Sequence, residues 1–277
     1  MISFIIPCFN GKAALNNTLK SLAWQTSSIP FEVILIDNNS NREKLDELYD
    51  KYFESLNIYL VKQPKLKSTY ALCKARNLGL RLAKYKWVCT LDSDIILPPK
   101  YLEKALQKLD NNSDVMLCGK RIFILRQDIE PLSQKNLSLA NPIPSSSNYN
   151  QIIDRRIPYL EDLDNSTQPW AFFHGCNTIF EKDKAQAIGG FDEEFDGQWG
   201  YEDIDFAYRM MKDKQVQPVY EEALYVYHQE EEIMGPINRF DKSTNPNWAL
   251  ICERIPGFKS FKSRQYELLS ASILLDV

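Results

Sequence analysis

The first hundred residues alternate between short apolar runs and segments with helical periodicity. The apolar runs predict buried strands at residues 2–7, 31–36, 58–61 and 86–91. Between these runs, apolar side chains recur at helical spacing and predict helices near residues 15–23, 45–52 and 71–82. Because near-continuous apolar strands alternate with helices, the pattern predicts an α/β fold with a mostly parallel central sheet covered by helices on both faces.

The pattern continues through a predicted helix at residues 99–109 and a predicted strand at 114–123, and then weakens. Several prolines and a run of three serines interrupt residues 127–168, where no helix of convincing length is predicted. Loops of this length are usually functional or mobile. We therefore expect residues 126–169 to form an irregular insertion.

Ordered structure is predicted again beyond this insertion. Residues 170–180 are strand-like, and Ile204, Ala207 and Met211 mark one face of a helix. Further predicted elements are a strand at residues 218–228 and a helix at 260–275. We expect one domain over residues 1–228, with a nucleotide-binding half (1–125), the insertion (126–169) and an acceptor half (170–228), followed by a C-terminal extension (229–277).

Composition and charge indicate which classes of partner the protein is expected to bind. A net charge of −4 and a pI near 5.4 disfavour a nucleic-acid-binding face, which is usually basic. The sequence contains no run of eighteen uncharged apolar residues and no charged segment before the apolar start, so neither a transmembrane helix nor a signal peptide is predicted. The expected location is cytoplasmic, and the basic and aromatic tail allows peripheral contact with a membrane surface.

Polar residues follow the predicted strands, where ligands bind in sheets of this kind. They are Asn10, Asp37 and the triplet Asp92-Ser93-Asp94. Two carboxylates that flank one residue offer hard oxygen ligands for Mg²⁺ or Mn²⁺. The alternative interpretation of the triplet is a solvated turn, in which Asp and Ser are also favoured.

Four segments, at residues 5–10, 33–40, 75–79 and 91–94, resemble successive motifs of family 2 glycosyltransferases with the GT-A fold, which has a Rossmann-like sheet. Their order and spacing match the family. The resemblance implies a nucleotide pocket formed by Pro7, Phe9, Asn10, Asp37, Asn39, Arg76, Asp92 and Ser93. It further implies that Asp37 binds the base, typically uracil, and that Asp94 binds Mn²⁺ or Mg²⁺, with Asp92 shared between ribose and metal. Phe9 stands where the family usually has tyrosine.

A second acidic cluster opens the helix that begins near residue 202. Capping alone could explain acids in a first helical turn. Inverting sugar transfer, however, needs a base for the acceptor hydroxyl, and a carboxylate that follows a glycine turn could project into a cleft. Residues 189–203 resemble the C-terminal half of β-galactosyl- and N-acetylhexosaminyl-transferring, chondroitin-polymerase-like domains.

This second resemblance implies roles for the cluster and for an earlier turn. Asp203 would be the general base and Glu202 its companion, with Trp199 and Gly200 beside a sugar ring. The turn Gly175-Cys176-Asn177 resembles the donor-sugar loop of these relatives.

The two histidines have different predicted roles. His228 ends a predicted strand where the same relatives have a metal-binding histidine, and the alternative is a hydrogen-bonded histidine at a strand edge. His174 precedes the predicted donor-sugar turn, and a structural role is favoured there.

The sequence therefore predicts a metal-dependent glycosyltransferase that moves a sugar from a nucleotide sugar, with UDP expected, to the hydroxyl of a glycan or another acceptor. A retaining mechanism and an inactive nucleotide-sugar-binding scaffold are the alternatives. A dehydrogenase is excluded because Pro7-Cys8-Phe9-Asn10-Gly11 replaces the required glycine-rich turn. Neither the sugar nor the acceptor is identified.

Overall fold

A computed structural model describes residues 1–9, 13–38, 40, 42–63, 70–109, 114–140, 168–231 and 245–263. Asn10, Asn39, most of the predicted insertion and most of the predicted helix at 260–275 lie outside the described residues.

The predicted parallel strands are present in the first part of the chain. They are β1 (Ile2–Cys8), β2 (Phe31–Asp37), β3 (Ile58–Lys62) and β4 (Trp87–Leu91). The helices between them are α1 (Ala13–Ala23), α2 (Arg42–Tyr52) and α3 (Leu72–Leu82). All neighbouring pairs in the order β3-β2-β1-β4 are parallel, so the carboxyl ends of these strands lie at one edge of the sheet.

The rest of the described chain completes a mixed sheet. Its elements are β5 (Ile95–Ile96), α4 (Tyr101–Leu109), β6 (Val115–Leu125), α5 (Gln134–Leu139), β7 (Asn177–Glu181), α6 (Lys182–Ala187), α7 (Glu202–Lys214), β8 (Gln217–Glu230) and α8 (Pro246–Arg254). The eight strands follow the order β3-β2-β1-β4-β7-β6-β8-β5. Strand β7 is antiparallel to both of its neighbours, and β5 is antiparallel to β8, whereas β6 and β8 are parallel.

The strand predicted at residues 170–180 is only partly correct. A 3-10 helix at Pro169–Phe172 precedes the turn that leads into β7. Pro169 fits the first turn of this helix, and the buried Trp170 ring packs against Tyr208 and Phe258. An apolar run predicts burial correctly here but does not distinguish a helical turn from a strand.

The sheet separates two apolar layers. Alternate side chains of β1 supply both, with Phe4 packed among residues of α1, α2 and α4, and Ile5 packed among residues of α3 and α7. An ideal Cβ at Gly79 of α3 would lie 2.4 Å from Ile5 Cγ2, so α3 approaches β1 closely because position 79 has no side chain. Within the described residues no helix is both long and apolar enough to cross a bilayer.

Candidate active site

The carboxyl ends of β1 and β2 form one wall of the candidate site. Cys8 and Asp37 are partners in the parallel register, and the Asn38 N–H donates to the Cys8 carbonyl at 2.9 Å. The buried Asp37 carboxylate accepts a hydrogen bond from the Ser40 N–H at 2.7 Å. Phe9 is 53% exposed and follows directly after β1. Phe9 and Asp37 are thus close in the fold, as the predicted nucleotide pocket requires.

Arg76 connects the two halves of the site. Its guanidinium is 2% exposed and lies between Glu202 (Nη1–Oε1 2.9 Å) and Asp92 (Nη2–Oδ1 3.4 Å). It also packs over the Phe191 ring. The close approach of Gly175 makes room for it, because an ideal Cβ there would lie 2.5 Å from Arg76 Nη2. The helix α3 therefore brings the end of β4 and the start of α7 together through one buried cation.

For both Arg76 and Glu202, burial and the charge of the partner shift the pKa in opposite directions. Burial acts to lower the pKa of Arg76, but the carboxylates of Glu202, Asp92 and Asp203 outweigh it and raise the pKa above its usual value. Burial raises the pKa of Glu202 to about 7, Asp203 adds to this increase, and Arg76 opposes it. Glu202 is thus a buried carboxylate whose pKa is raised although it contacts a cation.

Asp203 occupies a different environment from Glu202. Its carboxylate is half-buried and accepts two backbone N–H groups, from Gly175 at 2.9 Å and from Ile204 at 2.8 Å. The donor on Gly175 comes from the turn that precedes β7. Asp203 is thus oriented at both oxygens while its side chain keeps access to solvent.

The backbone before α7 is strained. Gly200 has φ 101°, and Tyr201 at the helix start has φ 76°, a left-handed conformation that bulky residues rarely adopt. Such a conformation persists only where surrounding contacts impose it. It sets the direction in which the chain enters α7 and presents Glu202 and Asp203.

Asp94 and His228 face each other across the short β5–β8 ladder, in which Ile95 pairs with His228. His228 Nε2 lies 3.7 Å from Asp94 Oδ1, too far for a hydrogen bond. This oxygen is buried and has no hydrogen-bond partner. Burial and the nearby carboxylates of Asp92 and Glu230 raise the pKa of Asp94, with His228 opposing them. An unsatisfied buried carboxylate oxygen beside an imidazole fits a divalent cation.

The third predicted metal ligand, Asp92, is placed differently, since it contacts Arg76. In the part of the chain that the structure describes, no group of three or more His, Cys, Asp or Glu residues is arranged to hold a metal ion. Asp94 and His228 would supply two ligands. Magnesium-type sites commonly take the remaining ligands from substrate phosphates and water.

Residues that sequence reasoning missed hold the backbone of the carboxylate triplet. Gln229 donates from its N–H and its side-chain amide to the Asp94 carbonyl, at 3.1 and 3.0 Å. Asn17 of α1 donates to Gln229 Oε1 at 2.8 Å, and Thr18 donates to the Ser93 carbonyl at 3.0 Å. The available signal was that Asn17 and Thr18 are polar residues next to the apolar face of α1.

Tyr70 is a further residue that the sequence did not indicate. It lies two residues before α3, and its backbone carbonyl accepts from the Gly197 N–H at 2.8 Å. Burial raises the pKa of its hydroxyl, with a further increase from Glu202 that Arg76 opposes. The phenol therefore lies close to the acidic cluster.

Some side chains that were predicted to belong to the site point into the core. Cys176 is buried in the core, and the buried Asn177 accepts from the Tyr101 hydroxyl and donates to the Leu224 carbonyl. The side chains of the predicted donor-sugar turn are thus directed into the core, and its backbone at Gly175 is what reaches Asp203. His174 Nδ1 is 2.8 Å from Arg121 Nη2, which agrees with the favoured structural role.

Sequence comparison assigns this arrangement to a family. The model described as glycosyl transferase family 2 matches residues 3–189, and that described as the N-terminal domain of galactosyltransferase matches residues 162–230. The chain is 34% identical to a chondroitin synthase of Escherichia coli over 95% of its length. It is 32% identical to a hyaluronan synthase of Pasteurella multocida over 92% of its length. The chain spans only 40% and 27% of these two relatives.

Solved structures agree on the fold. GalNAc-T7 with UDP, GalNAc and Mn²⁺ superposes with a TM-score of 0.64 at 18% identity, covering 91% of this chain and 48% of that one. Staphylococcus aureus TarS with UDP-GlcNAc gives a TM-score of 0.57 at 20% identity, covering 83% of this chain and 59% of that one. These neighbours are GT-A glycosyltransferases, which confirms the predicted fold. The strand-end motifs, the acidic cluster before α7 and the family match agree, and the chain belongs to glycosyltransferase family 2.

Proposed function

We propose that this domain transfers a sugar from a UDP-sugar to a hydroxyl of a glycan, with a divalent metal and with inversion at the anomeric carbon. One observation carries the proposal. Buried Arg76 joins Asp92 at the end of β4 to Glu202 at the start of α7, so the candidate metal pair and the candidate base border the same edge of the sheet. A nucleotide, its diphosphate and an acceptor could then meet there.

The nucleotide would bind at the ends of β1 and β2. Asp37 offers a fixed carboxylate for a base N–H, and the exposed ring of Phe9 offers a stacking face. Asn10 and Asn39, which the family resemblance also assigns to this pocket, lie outside the described residues. The neighbours described with UDP and UDP-GlcNAc support a uridine nucleotide.

The diphosphate would lie toward Asp94 and His228, with Asp92 and Ser93 beside it. Asp94 Oδ1 and His228 Nε2 would hold Mn²⁺ or Mg²⁺. When bound, the cation would neutralise the charge that develops on the departing diphosphate. Neighbours described with Mn²⁺ support this choice of cofactor.

Asp203 is the proposed general base. Its carboxylate would take the proton from the acceptor hydroxyl as that oxygen bonds to the anomeric carbon and the bond to the diphosphate oxygen breaks. The two backbone N–H donors keep the carboxylate oriented. Glu202 is less suited to this role because it is buried and bonded to Arg76. Glu202 would instead fix Arg76 and the start of α7.

Trp199 and Gly200 would border the acceptor or donor sugar, with Trp199 as a stacking surface that is 57% exposed. The relatives named chondroitin synthase and hyaluronan synthase support polysaccharide synthesis as the setting. We propose that the domain works in the cytoplasm, where peripheral contact with a membrane would be compatible with this role.

Calorimetry with UDP and Mn²⁺, together with metal-dependent hydrolysis of a panel of UDP- and GDP-sugars, tests the donor and metal assignments. We expect UDP affinity to rise when Mn²⁺ is added and one UDP-sugar to be hydrolysed faster than the others. Asp94→Asn should remove the effect of Mn²⁺ and leave metal-free UDP binding unchanged. Asp128→Asn, at an exposed position, is the matched control. Metal-independent turnover, or an unchanged metal response in Asp94→Asn, would contradict the assignment.

The anomeric configuration of the product tests inversion. Proton NMR of the newly formed glycosidic bond should show the opposite anomer to that of the donor. A product with the donor's configuration would establish the retaining alternative and exclude Asp203 as the base of a single displacement.

A further inference from the structure

The loop that leads into α7, residues 195–201, is held by the first residues of α8. Asn247 is buried, and its side-chain amide lies within hydrogen-bonding distance of three loop carbonyls, those of Phe195 (2.9 Å), Gln198 (3.2 Å) and Gly200 (3.1 Å). Asn245 donates to the Trp199 carbonyl, which lies between those of Gln198 and Gly200, at 3.1 Å. Two asparagines of the C-terminal extension thus face four carbonyls of one short loop, and three of these carbonyls share the two N–H groups of Asn247.

Aromatic contacts add to this attachment. The Tyr201 ring lies 5.6 Å from the Trp248 ring and 5.9 Å from the Phe258 ring, measured between centroids. Trp248 and Phe258 also contact each other at 5.5 Å. Tyr201 is the residue with the left-handed backbone, so the extension packs against the strained point of the loop. These contacts supply the external support that such a conformation needs.

The attachment leaves the Trp199 side chain exposed while its backbone is fixed on both sides. An exposed aromatic ring on an immobilised backbone loses little conformational freedom when a sugar stacks on it. The same loop continues directly into Glu202 and Asp203. Its position therefore affects both the stacking surface and the proposed base.

We propose that Asn247 is a positioning residue that holds residues 195–201 so that Trp199 and Asp203 face the acceptor sugar. The part of this inference that concerns the acceptor rests on the proposed function. The attachment of the loop does not depend on that function. Asn247 acts through the loop and does not itself touch the reacting atoms. Asn245 assists at the exposed end of the same contact.

Three variants separate these contributions. Asn247→Ala removes the amide donor, whereas Asn247→Asp places carboxylate oxygens against three carbonyl oxygens and should repel the loop more strongly. Asn245→Ala removes the contact with the Trp199 carbonyl and the N-cap hydrogen bond from the Asn247 N–H at the start of α8, and it is expected to fold normally. Asn136→Ala is the matched control, since Asn136 also donates one exposed amide hydrogen bond, to the Pro131 carbonyl at 2.9 Å.

Hydrogen exchange measured by mass spectrometry tests the attachment without any substrate. We expect faster exchange in peptides covering residues 195–203, in the order Asn247→Asp, Asn247→Ala, Asn245→Ala, with the sheet unchanged and Asn136→Ala like the wild type. Unchanged exchange in this loop for Asn247→Ala would overturn the proposal. Equal acceleration throughout the protein would also overturn it, because it would reveal a general stability role.

Kinetics test the consequence for the acceptor. With a panel of p-nitrophenyl hexosides and N-acetylhexosaminides, Asn247→Ala should lower kcat/KM for the acceptor about 10- to 100-fold, the scale expected when reacting groups are misplaced. The affinity for UDP should stay within twofold of the wild type. A parallel loss of UDP affinity would overturn the positioning role. If the wild-type domain transferred and hydrolysed no donor, the proposed function would fail, and the exchange experiment would still decide whether Asn247 holds the loop.

Discussion

In the predicted nucleotide-binding half (residues 1–125), candidate site residues lie at the ends of parallel strands. In the predicted acceptor half (170–228), they are held by hydrogen bonds between residues far apart in the sequence. Asp37 is the last residue of β2 and Asp92 directly follows β4, and the topology alone brings them to one edge. Asp203, by contrast, depends on the Gly175 N–H, and Glu202 depends on Arg76. The first arrangement follows from strand order, and the second requires that the whole domain has folded.

Besides the shared sheet and the apolar layer on its α3 side, polar contacts of α3 connect the two halves. Arg76 binds Glu202, Asp196 accepts from the Cys73 and Lys74 N–H groups at the start of α3, and Asn77 exchanges hydrogen bonds with the backbone of Phe191. Helix α3 is thus the common partner of both halves. Substitutions on α3 and α7 can therefore test separately the proposed catalysis, the connection between the halves and the packing of the core.

The largest effect is expected from Asp203→Asn, which removes the proposed base and leaves the strand ends intact. Transfer should fall about 10²- to 10⁴-fold, the usual contribution of general-base catalysis, and calorimetry should show unchanged UDP affinity. The matched control is Asp213→Asn, at an exposed position near the other end of α7. If UDP affinity fell as much as transfer, the division of roles between the halves would be wrong.

The next effect concerns the connection between the halves. Arg76→Met leaves Glu202 buried without its counter-charge and should lower the free energy of unfolding in urea by about 3–5 kcal/mol. Arg81→Met, at an exposed position of the same helix, should have little effect.

The double variant Arg76→Met/Glu202→Met sharpens this test. It should recover most of the lost stability, because a buried ion pair replaced by apolar residues is often neutral. A double variant as unstable as Arg76→Met would show that Arg76 stabilises the fold through contacts other than Glu202.

A smaller effect is expected where α3 packs against β1. Gly79→Ala would place a methyl group 2.4 Å from Ile5 Cγ2, and overpacking of this kind costs about 1–3 kcal/mol in the free energy of unfolding. Adding Ile5→Val should restore part of this loss in the same urea titration. UDP affinity should change little, because the substitution lies in the apolar layer. A neutral Gly79→Ala would indicate that α3 can move away from β1.

A further effect is a pH dependence of stability that originates at Glu202. Its pKa is raised from 4.5 to about 7, with Asp203 and Arg76 as the charged groups that face it. The folded protein therefore binds a proton that the unfolded chain releases, and this stabilisation is full below about pH 4.5 and is lost as the pH rises through about 7. In urea titrations, the free energy of unfolding of Glu202→Gln minus that of the wild type should therefore be larger at pH 8 than at pH 5. An unchanged difference would contradict the raised pKa.

The parallel strands and the strand-end residues could be predicted because their signals are local. Apolar runs indicate β1 to β4, and the acids that follow them are adjacent in sequence. The acidic cluster at α7 could be recognised as a motif, but its geometry could not. Nothing near residue 76 indicates that this arginine is buried, and nothing near residue 247 indicates that the asparagine holds a loop about fifty residues away. Such roles arise only from tertiary packing.

The turn before β7 illustrates the same limit. The residues of 175–177 were predicted as sugar contacts, but the side chains of Cys176 and Asn177 enter the core. The motif locates the turn, while the direction of each side chain depends on the register between β4 and β7, in which Leu91 pairs with Asn177. A one-residue change of register would reverse these directions.

The short strand β5 has a consequence for how the protein forms during synthesis. Within the described residues it joins the sheet only through β8, and β8 is made more than a hundred residues later. The β5 segment therefore lacks its sheet partner until residues 217–230 have left the ribosome and docked beside β6, although α1 already holds Ser93 and Leu97 by hydrogen bonds. Long-range pairing of this kind forms late in folding. A chain that stopped short of β8 could build the parallel strands but would lack the β5–β8 ladder that brings His228 to Asp94, so this candidate metal pair would form only in a chain synthesised at least through β8.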